Sequence, residues 1–201
     1  MSLRRGSIGG AGTVLLALSG LLLLPAPPAA AGDLVFDIAP TESCLAKAAQ
    51  DGKDDAQATA PDGSFTAQTA LQAYRPNACI GLAAQACMAA TEGGWSTYGM
   101  GGCLSAEADW WDAQLNANYQ RAMKRAKQLD LDNEVGKGPL LSAAKALRDM
   151  QRAWIAYRDG ACAFEYAQWG GGTGGGPAAT QCFLHLTATQ ALALRVSGPG
   201  E

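Results

Sequence analysis

The chain's one histidine, His185, and its 18 Asp and Glu against 15 Lys and Arg bound the chemistry that 201 residues can carry. One imidazole excludes a histidine-rich metal site and makes a His-based triad an unexpected reading. His185 follows Cys182 by three residues and reads as a structural, hydrogen-bonded side chain. The carboxylate pairs Glu107 with Asp109 and Asp54 with Asp55 are close in sequence, as is commonplace on solvated surfaces. The run Trp169-GGGTGGGP-Ala178 lacks the Gly-Lys-Ser/Thr ending and the preceding strand of a phosphate-binding loop. Six cysteines match neither zinc-finger spacing, nor a Cys-x-x-Cys redox pair, nor a Cys-x-x-Cys-His haem site. No cofactor or metal is expected, and no nucleophile, base and orienting acid come together. Enzyme is the weaker reading of these residues.

Composition narrows the partners. Hydrophobic residues at 48% and charged residues at 16% exclude a generic disordered chain. A pI near 5.2 argues against nucleic acid, whose phosphates need a basic face. Arg4 and Arg5, an apolar run from Ala11 to Leu24 and the small residues Ala29 to Ala31 read as a secretory signal peptide over residues 1–31. Cleavage is expected after Ala31, with Ala29 or Ala30 as alternatives. The apolar run, 14 residues by count, falls short of the roughly 20 that span a bilayer, so no membrane span is expected. Removing these residues takes away two arginines and no acids, so 13 minus 18 leaves −5. The product is expected in the periplasm or outside the cell, where an even number of cysteines implies disulfides.

If Cys79 and Cys87 share a continuous helix, their Cα atoms lie about 12 Å apart, beyond the roughly 7 Å limit for a bridge. They then need different partners. Sequential pairing, Cys44–Cys79, Cys87–Cys103 and Cys162–Cys182, satisfies this and makes three local clips.

The elements that position these groups are helical. Residues 32–78 form an N-terminal extension, with an extended arm over 33–43 and one or two helical turns from Cys44 to Gln50. A polar loop over 50–64 carries the Pro61-Asp62-Gly63 turn signal, and a helical stretch runs from Phe65 to Tyr74. The main domain, 79–196, opens with a helix over Ala78 to Thr91 capped by Asn77 and an irregular connection rich in glycine from Gly93 to Gly102. Ser105 is the expected cap of a helix whose first turns carry Glu107 and Asp109. Its stripe is Trp111, Leu115, Tyr119 (or Asn118), Ala122, Ala126 and Leu129. Asp130 to Gly138 breaks it, and Pro139 fits a new first turn. A second stripe follows: Leu140, Ala144, Leu147, Met150 (or Gln151), Trp154, Tyr157 (or Arg158), Ala161 and Phe164. The glycine run is an irregular loop, and a last helix over 179–196 buries Phe183, Leu186, Ala193 and Leu194. Residues 197–201 are a tail. This order, without alternating β-branched runs, predicts an all-α, disulfide-tied, small antiparallel helical bundle.

Polar groups on these helices have two readings. Asp112, Asn116 and Tyr119 are spaced along one face, and Trp154, Arg158 and Asp159 lie on the next helix. A structural network would pair Arg158 with Asp112 or Glu107 across a helix interface and hold the helices in register. The other reading is an exposed recognition patch. Trp110, Trp111 and Trp154 are expected in the core. Trp169 borders the glycine loop, so Trp169, Gly171, Gly172, Thr173 and Gly174 are the candidate binding residues, as a protruding loop.

Cys103-x3-Glu107, Trp111-Asp112, Leu115-Asn116-x2-Tyr119, Met150-QRAWIAYRDGA-Cys162, the glycine-rich segment and Cys182-x4-Thr187 follow in that order. This order resembles the LprI-like family of small exported, cysteine-bearing helical proteins, over about Cys79 to Arg195. The most specific part is Trp154-x3-Arg158-Asp159-x2-Cys162. The named member is a lipoprotein, whereas this sequence has no lipid-attachment cysteine after its apolar run, and residues 32–78 fall outside the family pattern. The resemblance implies inhibition of a peptidoglycan-cleaving lysozyme. A basic lysozyme would be drawn to an acidic surface, and its two-carboxylate cleft would be open to a plug formed by the loop from Trp169 to Pro177.

Overall fold

The computed structural model describes residues 33–57, 75–136 and 140–196. The expected signal peptide, the Pro61-Asp62-Gly63 turn, the stretch from Phe65 to Tyr74, Pro139 and the tail lie outside these residues. The described elements are all helical: α1 (Ala39–Gln57), a 3-10 turn (Arg75–Cys79), α2 (Leu82–Ala90), α3 (Thr97–Asp132), α4 (Ala143–Ala167) and α5 (Gly175–Val196). None of the described helices is long and apolar enough to cross a membrane.

Three long helices make the body, running up, down and up. At 1.5 Å per residue the 36 residues of α3 reach about 54 Å. Leu104, Ala108, Trp111 and Leu115 of α3 pack on Leu184, Ala188, Ala191 and Leu194 of α5. Near the middle of this seam the Asn118 amide donates to the Ala191 carbonyl at 2.7 Å. α4 lies alongside and returns antiparallel, with the Gln190 amide donating to Gln151 across the α4–α5 seam. A smaller cluster of Met123, Ala126 and Ala144 closes the far end.

Helix starts are set by side-chain caps. The Ser96 hydroxyl accepts from the Gly99 amide at 3.1 Å, so α3 begins at Thr97 and not at the expected Ser105. Gly99, Gly101 and Gly102 are therefore helical. One of them is required by contact: a Cβ on Gly99 would lie 2.5 Å from the Gly93 carbonyl oxygen, whereas one on Gly102 would meet only the end of the Leu34 side chain, at 2.6 Å from Cδ1. The glycines admit a preceding turn and the N-terminal arm against the helix, where sequence alone had read an irregular connection. α4 begins at Ala143, not near Leu140, because Ser142 caps it by accepting from the Lys145 amide.

Several boundaries move in other ways. Helix α1 opens at Ala39 inside the expected extended arm and runs to Gln57, through part of the expected polar loop. Ala78 and Cys79 belong to the 3-10 turn, so the helix containing Cys87 starts only at Leu82, after Gly81 at φ 90°. α5 starts at Gly175, four residues before the expected Ala179, and takes Pro177 into its first turn, where a missing N–H costs nothing.

The buried faces also shift. In α4 only Ala144 and Cys162 are fully buried. Met150, Tyr157 and Phe164 stay exposed at 42%, 62% and 68%, and Leu140 lies outside the helix, exposed. The helix has neighbours on one side only, and these three, seven apart, lie on its uncovered flank. In α5 the buried set is Leu184, Thr187, Ala188, Ala191 and Leu194, one position round from Phe183, Leu186 and Ala193.

Three disulfides join the pieces: Cys44–Cys79, Cys87–Cys103 and Cys162–Cys182. They tie α1 to the 3-10 turn, α2 to α3, and α4 to α5.

Candidate functional site

Glu107 is the most buried ionisable residue, with no exposed surface. It lies within α3, eleven residues past the Ser96 cap, and every contact uses it as an acceptor. The Gly81 amide donates to Oε1 at 2.8 Å and the Ala84 amide to Oε2 at 2.8 Å. The Trp111 indole and the Thr41 hydroxyl each reach Oε1 at 3.1 Å. Thr41 in turn accepts from the Ala83 amide at 3.1 Å. Gly81 and Ala84 stand at the start of α2, whose orphan amides need acceptors. Glu107 thus caps α2 from another helix and is committed to architecture.

The second polar group is different from the network expected across the helices. Arg158 bonds Asp159, the neighbouring residue, through Nε at 3.0 Å and a terminal nitrogen at 2.9 Å. Its guanidinium lies 3.9 Å from the Phe183 ring centroid and 5.0 Å from that of Trp154. This lodges a charge between aromatic faces while its partner, Asp159, remains at the surface. Asp112 accepts from the Asn116 amide at 2.9 Å on an exposed part of α3. Tyr119 packs between the two core clusters. The six residues form separate local groups, and the expected pairing of Arg158 with Asp112 or Glu107 is not made. The geometric reason is that Glu107 faces α2, so its oxygens are already taken.

The glycine segment folds as a tight turn. The Gly170 amide donates to Ala167, the Gly172 amide to Trp169 at 2.8 Å, and the Gly175 amide to Gly172. Gly170 and Gly171 take φ of 54° and 86°, the left-handed region that favours glycine. A Cβ on Gly174 would meet the Trp169 ring at 2.2 Å. The indole packs against this backbone, and a side chain at 174 would displace it. Of the candidate binding residues, the turn brings Trp169 and Gly174 to one wall of a cleft of about 440 Å³; Gly171, Gly172 and Thr173 sit exposed on the turn.

The same cleft is lined by Trp95, which sequence reasoning passed over. It sits on the turn between α2 and α3 and is 64% exposed. The floor is made by apolar side chains such as Met88, Leu104 and Leu184, and His185 lines the same cleft beside Gln85 and Gln181. His185 is therefore exposed rather than the hydrogen-bonded structural residue expected. Five tryptophans were visible in the sequence, but only their packing separates Trp111, buried, from Trp95 and Trp169. Among the described residues no cluster of three or more His, Cys, Asp or Glu could hold a metal ion.

These features define a class: a small, disulfide-braced helical protein with buried polar side chains fixing its helices and aromatic side chains gathered at one cleft. The family model described as "Lysozyme inhibitor LprI" matches residues 87–194, more than half of the chain, and the chain belongs to this LprI family. It is also 29% identical over 153 residues to a protein of Rhodobacter capsulatus named "Uncharacterized 17.7 kDa protein in puhA 5'region". That alignment covers 72% of this chain and 91% of the relative. No solved structure gives a significant match.

Proposed function

We propose that this protein is exported and inhibits a peptidoglycan-cleaving lysozyme by binding to it, without catalysis of its own. The observation that carries the reading is the family match over 87–194, which includes both disulfides of the main body, Cys87–Cys103 and Cys162–Cys182. Two physical features support it. Three disulfides suit an oxidising compartment, the periplasm or the medium. The excess of acids, 18 against 15 basic residues, suits a basic enzyme as partner. The half-exposed Trp169 on its glycine turn is the proposed contact, with Gly171, Gly172, Thr173 and Gly174 shaping it and the acidic surface steering the encounter.

The test is a cell-wall lysis assay with a basic lysozyme and a molar excess of purified protein. Protection is expected, weakening as salt rises from about 50 to 300 mM because exposed charges are screened over a Debye length. Trp169→Ala is expected to weaken protection at least tenfold. Undiminished lysis at saturating protein would sink the inhibitor reading, while undiminished protection by the variant would remove Trp169 from the contact.

A further inference from the structure

We propose that the cleft lined by Trp95 and Trp169 is a binding site for a neutral saccharide, a function independent of any contact with a lysozyme. Three observations converge on it.

The first is the chemistry of the lining. Both markedly exposed tryptophans of the described chain, at 64% and 49%, border this one cleft. A pyranose ring has an apolar face of C–H groups that stacks on an indole, and equatorial hydroxyls that need planar donors and acceptors at the edge. Gln85, Gln181 and His185 supply such groups, and their side chains make no hydrogen bond among the described residues. Their amide and imidazole nitrogens and oxygens are open to a ligand, with two donors and an acceptor on each glutamine.

The second is charge. Among the described residues, no Asp, Glu, Lys or Arg lines the cleft. A phosphate or carboxylate would find no cation there, and an arginine or lysine from a protein partner would find no carboxylate. The ligand that fits is uncharged, amphipathic and of the size of a few sugar atoms' shells. At about 440 Å³ the space lies within the usual range for small-ligand sites.

The third is preorganisation. Each tryptophan sits on a short connection closed by a disulfide: Trp95 within the Cys87–Cys103 loop and Trp169 within the Cys162–Cys182 loop. Gly94 lets the first turn press on Met88, where a Cβ would lie 2.3 Å from the carbonyl oxygen, and Gly174 seats the second indole. Exposed aromatic rings held in this way lose little freedom when a ligand stacks on them.

The experiment uses the disulfide-intact protein without any enzyme. Tetra-N-acetylchitotetraose and cellotetraose are titrated while tryptophan emission and heat are recorded. Saturable binding of either neutral sugar is expected, with an emission change. Trp95→Ala and Trp169→Ala are each expected to lower affinity at least tenfold, and Gln181→Ala to lower it severalfold. Both tryptophans are surface residues, and unchanged circular dichroism and melting confirm that the variants fold. Absence of saturable binding up to millimolar sugar overturns the proposal. So does sugar binding that both tryptophan variants retain, or an apolar dye held in the cleft that neither sugar displaces. Since no lysozyme is present, this result and the lysis assay fail or succeed separately.

Discussion

At the scale of single residues, the contrast between Glu107 and Arg158 shows how this protein keeps charge inside a helical body. Glu107 has four donors and no cation, while Arg158 has one carboxylate and two aromatic faces. The two solutions have different sensitivities. Glu107→Gln keeps volume but turns an amide NH₂ toward backbone N–H groups, so at least one donor at the start of α2 loses its acceptor. The expected loss is about 2–4 kcal/mol in chemical denaturation. A loss under about 0.5 kcal/mol would show that the cradle is not needed. Little of this was legible in advance. Glu107 reads as a helix-start acid because Ser105 precedes it, and nothing local reveals that the helix began eight residues earlier than Ser105. Trp95 was equally hidden, since a tryptophan on a turn after Gly93 and Gly94 has no periodicity from which to judge burial.

At the scale of elements, the α3–α4 connection shows a carboxylate doing a capping residue's work from the preceding helix. Asp130 accepts from the Ser142 hydroxyl at 2.6 Å and from the amides of Ala143 and Ala144. These bonds, the hydroxyl's foremost and the amides' after it, outweigh the partial loss of water and hold its carboxyl below the usual value of 3.8. A depressed folded value means stability that is present above the unfolded value and lost as pH falls through the lower folded one. The gap in melting temperature between the parent and Asp130→Ala is therefore expected to be constant above about pH 5 and to close below it. A gap that widens on acidification would contradict the assignment. Three-and-four spacing revealed the three long helices; the sequential bridges came out as expected although Cys79 and Cys87 do not share the continuous helix on which that expectation rested. Spacing did not reveal which flank of α4 is covered. Apolar residues occupy a broad arc of that helix, and only the positions of α3 and α5 decide that Leu147 and Trp154 pack while Met150, Tyr157 and Phe164 do not.

At the scale of the whole molecule, stability is distributed unevenly. The α3–α5 seam holds most of the core, whereas α4, with two fully buried residues, depends on Arg158, Leu147 and the Cys162–Cys182 bridge. That bridge closes a loop of 20 residues, for which chain entropy gives about 3 kcal/mol. In the double variant Cys162→Ala, Cys182→Ala, amide exchange is expected to rise first across the C-terminal half of α4 and the glycine turn. Protection along α3 and α5 is expected to persist. Uniform loss of protection would mean that the three helices unfold as one unit.

The capping of α2 by Glu107 also bears on where this protein can be cut. The family-matched region begins at Cys87, yet three of the four groups that bond Glu107 come from Thr41, Gly81 and Ala84. Trimming the chain to the family border would leave Trp111 as the sole donor to a carboxylate in an apolar seam. The segment ahead of the border is thus an integral plug of the domain, and the shortest autonomous fragment must reach back through α1.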